Sequence, residues 1–527
     1  MLRSGIQPLG TDPETMIIRL SDHWRLKMRS SDKSQDVEAS GTWIAETKLK
    51  AGSLRLTGAV MQNITHIAPA IAAFFFTPFV VSLAGAHSVP AYIIGVVVVF
   101  GLGVCLTQLA KNFPSAGGYF TYISRTIGPR MGFLSAWTFI FYAPIVSGPV
   151  AAYFGFILQN ELKAAYGFNF PWWLTTLILI PLITLMMYLG IVVSVRLLVL
   201  LGTLEILIVL ALSITGLLNP GSPGSPVEVF RPGFNPGHIA TASGFALAIV
   251  FSVQGLTGWE GAVPLAEETQ NPRKNVSRSI LVSIVIVGVV LVIAYWGQVI
   301  GWGVNNLHGL VNSPTLPALA LGTRYWGSAW PIVLFALFTS VFANDIAVQN
   351  VATRMWWNMA DKGALPKAVA RLHPTRRTPV VAILIQFIMA IGLGLGVGFL
   401  LGPDVSFFLL VGLTLVLAIV FIYIVSNIGM SLYYWRERRS EFNYFTHLFL
   451  PLATSLILAY SVVKSFQPFP PAPYAYAPEI VGGWMLVGVG VLFWLHRTGR
   501  EEWLTKAGDI VSERPETPEE LQDIPTA

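Results

Sequence analysis

Gln254-Gly255-Leu256-Thr257-Gly258-Trp259-Glu260-Gly261 interrupts an apolar segment at about 240–264. Each glycine costs a helix about 1 kcal/mol relative to alanine, so three in seven residues disfavour a straight helix. A second interruption, Thr65-His66-Ile67-Ala68-Pro69-Ala70, breaks the apolar segment at 57–83. Pro69 removes a backbone donor and disfavours helical geometry just before it. Hydrocarbon offers no hydrogen bonds, so a broken helix survives there only where protein or a wet cavity covers the break. The two breaks fall at matching points of two five-segment halves. Such paired breaks point to the binding site of a membrane transporter. A proline kink without a ligand is the plainer reading of either break alone.

The rest of the chain fits a membrane setting. It has 527 residues, 54% hydrophobic and 11% charged, where a soluble domain carries roughly 25% charge. Twelve apolar segments approach the ~20 residues needed to cross a bilayer. They lie near 57–83, 88–110, 131–158, 172–189, 193–217, 240–264, 278–302, 328–359, 378–402, 405–430, 446–466 and 479–496. The expected architecture is all-α. One repeat covers about 56–217 and a second about 238–430, followed by two appended helices at 446–497. A mixed-charge tail, 1–55, and an acidic tail, 498–527, flank this membrane domain of 56–497. No cleavable signal peptide is expected, because the first fifty residues hold no apolar core.

Orientation follows from lysine and arginine. With both ends of the chain cytoplasmic, all but four of the 33 basic residues fall on or near that side. The four are Lys163, Arg231, Arg324 and Lys464. This skew predicts a multi-pass protein of the cell membrane. It also accounts for an isoelectric point of 9.3 through anionic lipid headgroups, with no nucleic acid partner. The single cysteine, Cys105, excludes a disulfide framework and a thiolate metal site. The eight histidines are scattered without zinc-motif spacing. No metal, cofactor or enzymatic chemistry is expected.

Ionisable residues inside spans carry the remaining signal, because a mid-bilayer carboxylate costs about 2.5–3.5 kcal/mol on insertion scales. Glu205, Asp345, Glu260 and His66 are in this class. Glu205 is the lone acid of the fifth segment and suits proton coupling; a structural, hydrogen-bonded glutamic acid is the alternative. Asn344 and Asp345 would line the cavity or bond the broken first segment. Thr339 and Ser340 could offer hydroxyls to sodium, although hydroxyls in membrane helices usually bond their own backbone. Glu267 and Glu268 are expected to pair with basic residues such as Arg354 as a cytoplasmic gate. The substrate site is expected at Thr65, His66, Ile67, Ala68, Pro69, Ala70, Tyr142, Phe251, Gln254, Gly255, Gly258 and Trp259. A substrate carboxylate would meet the amides of residues 68–72, and an ammonium group the carbonyls of residues 251–255.

Four motifs resemble those of amino acid permeases of the amino acid–polyamine–organocation (APC) superfamily. Pro114-Ser115-Ala116-Gly117-Gly118-Tyr119, with Gly128-Pro129-Arg130 and Gly132-Phe133, is similar to the family's P-x-x-G-G-x-Y … G-P … G-F pattern. Gly258-Trp259-Glu260 through Ala266-Glu267-Glu268 and Asn271-Pro272-Arg273 resembles G-F-E … A-E-E-x-x-N-P-R. Arg354 with Met359-Ala360-Asp361-Lys362-Gly363-Ala364-Leu365-Pro366, and Thr378-Pro379, complete the set over about 55–435. The resemblance implies a LeuT-type fold of two inverted five-helix repeats with broken helices 1 and 6. It places Glu205, fifteen residues after Gly190, at a fifth-helix position where proton-coupled relatives carry lysine or glutamate. The family's G-S/A-G-I-F turn is replaced here by His66-Ile67-Ala68-Pro69-Ala70. The implied activity is secondary active transport of an amino acid or related small amine. Coupling to protons is expected; sodium coupling, exchange, and potassium transport on the same fold are the alternatives.

Overall fold

A computed structural model describes residues 49–467 and 470–510. Most of the N-terminal tail and the acidic stretch beyond residue 510 lie outside the described residues. Among the described residues every regular element is helical, and the two backbone bridges, Leu54 with Thr269 and Leu372 with Pro379, are isolated.

Among the described residues twelve helical spans form the body. The first, α1, is split into Leu56–Ile67, Pro69–Phe74 and Thr77–Ala84. It is followed by α2 (Ser88–Asn112), α3 (Pro129–Tyr166), α4 (Trp172–Leu189) and α5 (Ile191–Leu218). The sixth, α6, is helical over Ala242–Gln254, turns irregularly, and resumes as a 3-10 segment, Val263–Glu268. Next come α7 (Pro272–Trp302), α8 (Pro331–Asp361), α9 (Val380–Leu401), α10 (Pro403–Arg436), α11 (Phe445–Ser465) and α12 (Ala477–Arg497). Among the described residues ten helices are long and apolar enough to cross a membrane; the upper part of α1 is counted with α2, and α6 falls short because of its interruption.

Apolar side chains cover the outside as well as the core. Leu400 and Leu486 are 78% and 72% exposed, which suits a lipid-facing surface. Inside, helix neighbours repeat between the halves. α1 packs on α7 as α6 packs on α2, and α8 packs on α5 as α3 packs on α10. The same neighbour pattern therefore recurs in the two five-helix halves.

The appended helices hold on through polar pairs. Trp137 of α3 and Trp484 of α12 each donate an indole N–H to the other's carbonyl, at 2.9 and 2.7 Å. Asn427 of α10 donates to the hydroxyls of Thr454 and Ser455 on α11. After α12 the chain folds back under the bundle. Trp503 is buried against Phe120 and Phe133, and Lys362 pairs with Asp509 at 3.0 Å. Hydrogen bonds from His496 and Arg130 hold the half-buried Glu501 carboxyl below the usual carboxylate range.

Candidate substrate site

The break in α1 is a single residue. Ala68 adopts φ 59°, ψ 74°, the left-handed region, and Pro69 opens the next half-helix. A left-handed alanine costs roughly 1–2 kcal/mol, so the surroundings must hold it. They do so from two other helices. On the first half, the Asn344 side-chain amide of α8 donates to the carbonyls of His66 (2.7 Å) and Thr65 (3.4 Å). On the second half, the Ala70 amide donates to Glu205 Oε1 of α5 at 2.7 Å. The Ile71 amide donates to Ser340 Oγ at 3.3 Å, and Ser340 in turn donates to Glu205 Oε1 at 2.7 Å. One turn later, Tyr295 and Gln298 of α7 donate to the carbonyls of Ala72 and Ala73.

These bonds occupy the amides at which a substrate carboxylate was expected. Pro69 has no N–H, and the amides of Ala68 and Ala72 donate to the carbonyls of Ile64 and Ala68. With Ala70 and Ile71 bound to Glu205 and Ser340, the donors of residues 68–72 are all engaged within the protein. Glu205 supplies the carboxyl that the half-helix would otherwise seek.

The break in α6 is longer, residues 255–262, and is satisfied mainly by its own turns. Gly255, Leu256 and Thr257 donate to the carbonyls of Phe251, Val253 and Gln254, so three of the five carbonyls expected to meet an ammonium already accept a bond. Gly258 sits at φ +113°, and a Cβ there would lie 2.6 Å from the His66 carbonyl oxygen. A Cβ on Gly261 would meet the His66 ring at 2.6 Å. The glycines therefore let the two breaks touch. Asn63 of α1 adds a tie, accepting from the Ala262 amide at 2.6 Å.

The expected site residues divide around this contact. Thr65, His66, Ile67, Ala68, Pro69, Ala70, Gly255, Gly258 and Trp259 gather at the two breaks. Tyr142 of α3 joins them, sharing a 2.9 Å hydrogen bond with His66 Nε2. Gln254 points elsewhere. Its amide donates to the carbonyls of Val411 and Gly412 at 2.9 Å each, within the wide-turn stretch Phe408–Thr414 of α10. A π-type turn frees carbonyls from the usual ladder, and Gln254 satisfies two of them. Phe251 packs edge-on against Phe79 and lines a cleft of about 460 Å³ with Phe76 and Phe408, at the end of the bundle that carries Lys464. Thr339 bonds its own helix through the Ala336 carbonyl, and Asp345 is fully buried beside Asn344.

At the opposite end, Arg354 and Glu268 form an ion pair at 2.9 Å, each side chain 1% exposed. Arg354 also donates to Asn350 and Thr353. Glu267 is not part of that pair; it accepts from the Ala116 amide at 3.1 Å, in the loop after α2.

The sequence left several contributors unassigned. Glu260 Oε1 accepts from the Tyr423 hydroxyl of α10 at 2.8 Å, and Tyr423 lies against Trp259 and Tyr119. Asn63 and Gln298 were missed as well. Their one signal was a carboxamide on an apolar span, which is costly in lipid unless it caps something.

The amino acid permease family model matches residues 58–495. This chain belongs to the amino acid permease family. The permease is 24% identical over 417 residues to the low-affinity putrescine importer PlaP of Escherichia coli K12, covering 77% of this chain and 86% of that protein. It is 24% identical over 312 residues to the serine/threonine exchanger SteT of Bacillus subtilis, covering 57% and 66%. The L-methionine/branched-chain amino acid exporter YjeH of Escherichia coli K12 is 23% identical over 322 residues, covering 59% and 69%. The permease is thus a multi-pass membrane transporter for small molecules, with relatives that handle amino acids or polyamines.

Proposed function

We propose that this permease sits in the cell membrane with both ends of the chain in the cytoplasm. It imports an amino acid or related small amine by alternating access, driven by protons. Repeats of about 56–217 and 238–430 would move against one another around the two breaks. The observation that carries the coupling is Glu205. One oxygen of its buried carboxyl ties α5 to the broken backbone of α1 and to Ser340 of α8. The other oxygen has no hydrogen-bond partner. A proton arriving there would change the bonds that hold α1 between α5 and α8. The Arg354–Glu268 pair would close the cytoplasmic end. Ser340 donates to Glu205 and Thr339 bonds its own backbone, which favours the proton over sodium at this place.

The test is uptake into proteoliposomes with a pH gradient, a sodium gradient, or neither. Accumulation should follow the pH gradient in sodium-free buffer. Glu205→Gln keeps an acceptor oxygen for Ala70 but cannot ionise. It should lose pH-driven accumulation and retain exchange of substrate across the membrane. Wild-type pH dependence in that variant would refute the coupling role.

A further inference from the structure

We infer that the cargo of this permease is a protonated amine that carries no carboxylate beside its ammonium group. The inference rests on the transport reading above and names the substrate class of the same site. Its first support is the state of the α1 half-helix. An amino acid needs an anion partner for its carboxylate. Here the opening residue is a proline, and the next two amides are held by Glu205 and Ser340. An incoming carboxylate would find no free amide at residues 68–72, and it would face the Glu205 carboxyl.

The second support is the balance of buried charge. Among the described residues the buried arginine and lysine side chains are Arg354 and Lys362, and these already pair with Glu268 and Asp509. The acids near the breaks have no such partners. Glu205 Oε2 and Glu260 Oε2 are both buried without a hydrogen bond. A buried carboxylate is costly unless a positive group or donors meet it. A ligand that brings N–H donors and positive charge would supply both.

The third support is the wall around Glu260. The ring of Tyr423 lies 5.4 Å from that of Trp259 and 6.4 Å from that of Tyr119. The Tyr119 hydroxyl is itself buried and unpartnered. Aromatic faces attract cations, more strongly where water is excluded. A carboxylate with one open oxygen, lined by three such rings, has the chemistry of an ammonium subsite.

Matched pairs that differ by one carboxylate test this directly. The full-length permease in proteoliposomes is given a pH gradient and either 1,4-diaminobutane or ornithine, and 1,5-diaminopentane or lysine. Alanine and serine serve as small amino acids. Each amine should enter at least about tenfold faster than its amino acid counterpart, a difference of about 1.4 kcal/mol. Amino acids entering as fast as the amines would overturn the inference and leave the transporter reading standing. No entry of any compound, by a protein that stays folded and monodisperse, would overturn both. Glu260→Gln keeps the acceptor for Tyr423 and removes the charge. It should raise KM for the amine about tenfold or more with a smaller change in kcat. An unchanged KM would overturn the placement of the ammonium at Glu260.

Discussion

The two breaks solve one problem in opposite ways. In α1 the chain departs from helix at a single residue, Ala68, and other helices complete it. Asn344 bonds the carbonyls on one side, and Glu205 and Ser340 bond the amides on the other. In α6 the chain departs over residues 255–262, and most of the backbone bonds it makes there come from its own turns. A break completed from outside is coupled to its completers. A break completed from within can present side chains, here Trp259 and Glu260, without asking its neighbours to hold the backbone. The first arrangement suits a sensor of helix position, and the second suits a binding surface.

Several substitutions would break or sharpen this contrast. The largest effect is expected where α6 ends. Arg354→Leu leaves the fully buried Glu268 charge without its partner, at a cost of about 3–5 kcal/mol. Thermal unfolding in detergent should show it, and the yield of folded protein should fall. Next is the contact between the breaks. Gly258→Ala places a Cβ 2.6 Å from the His66 carbonyl oxygen at a backbone angle unfavourable to alanine. A loss of at least about 1–2 kcal/mol and of uptake should follow. An unaltered transport rate would show that the breaks need not touch.

Two further substitutions separate outside support from local support. Asn344→Ala strips the carbonyls of Thr65 and His66 of their side-chain donor, for about 1–3 kcal/mol in thermal unfolding. Gln254→Ala, which removes a bond from α6 to α10 rather than a support of the break, should leave KM near wild type in uptake assays. A KM shift larger for Gln254→Ala than for Asn344→Ala would reverse the assignment. The smallest effect is expected at Ala68. Glycine accepts the left-handed region freely but loses more entropy on folding, so Ala68→Gly should change stability by within about 1 kcal/mol.

The breaks were legible because glycine and proline act locally. Clustered Gly255, Gly258 and Gly261, and Pro69 after a small residue, disfavour helix whatever surrounds them. Glu205 was legible because a lone acid in an apolar span needs a reason. Its partner was not, since Ala70 lies 135 residues away and no local pattern links them. The partners of Gln254 were not legible for the opposite reason. It lies beside the break in sequence, but its side chain turns to carbonyls released by wide turns in α10. Glu260 was visible as an in-span acid, but the ring of aromatic residues around it comes from the short helix Tyr119–Thr126 after α2, from α6 and from α10.

Hydropathy, the positive-residue skew and the breaker residues determined an all-helical membrane protein of about twelve spans with two interrupted. These are properties of single segments in lipid, where each helix must satisfy its own backbone. The tertiary structure alone decided who completes the broken backbone. Hydrogen bonds are directional and act only near 3 Å, so whether an amide meets a substrate or a buried glutamate depends on how separate helices pack. That packing put the Glu205 carboxyl where a ligand's carboxylate had been expected.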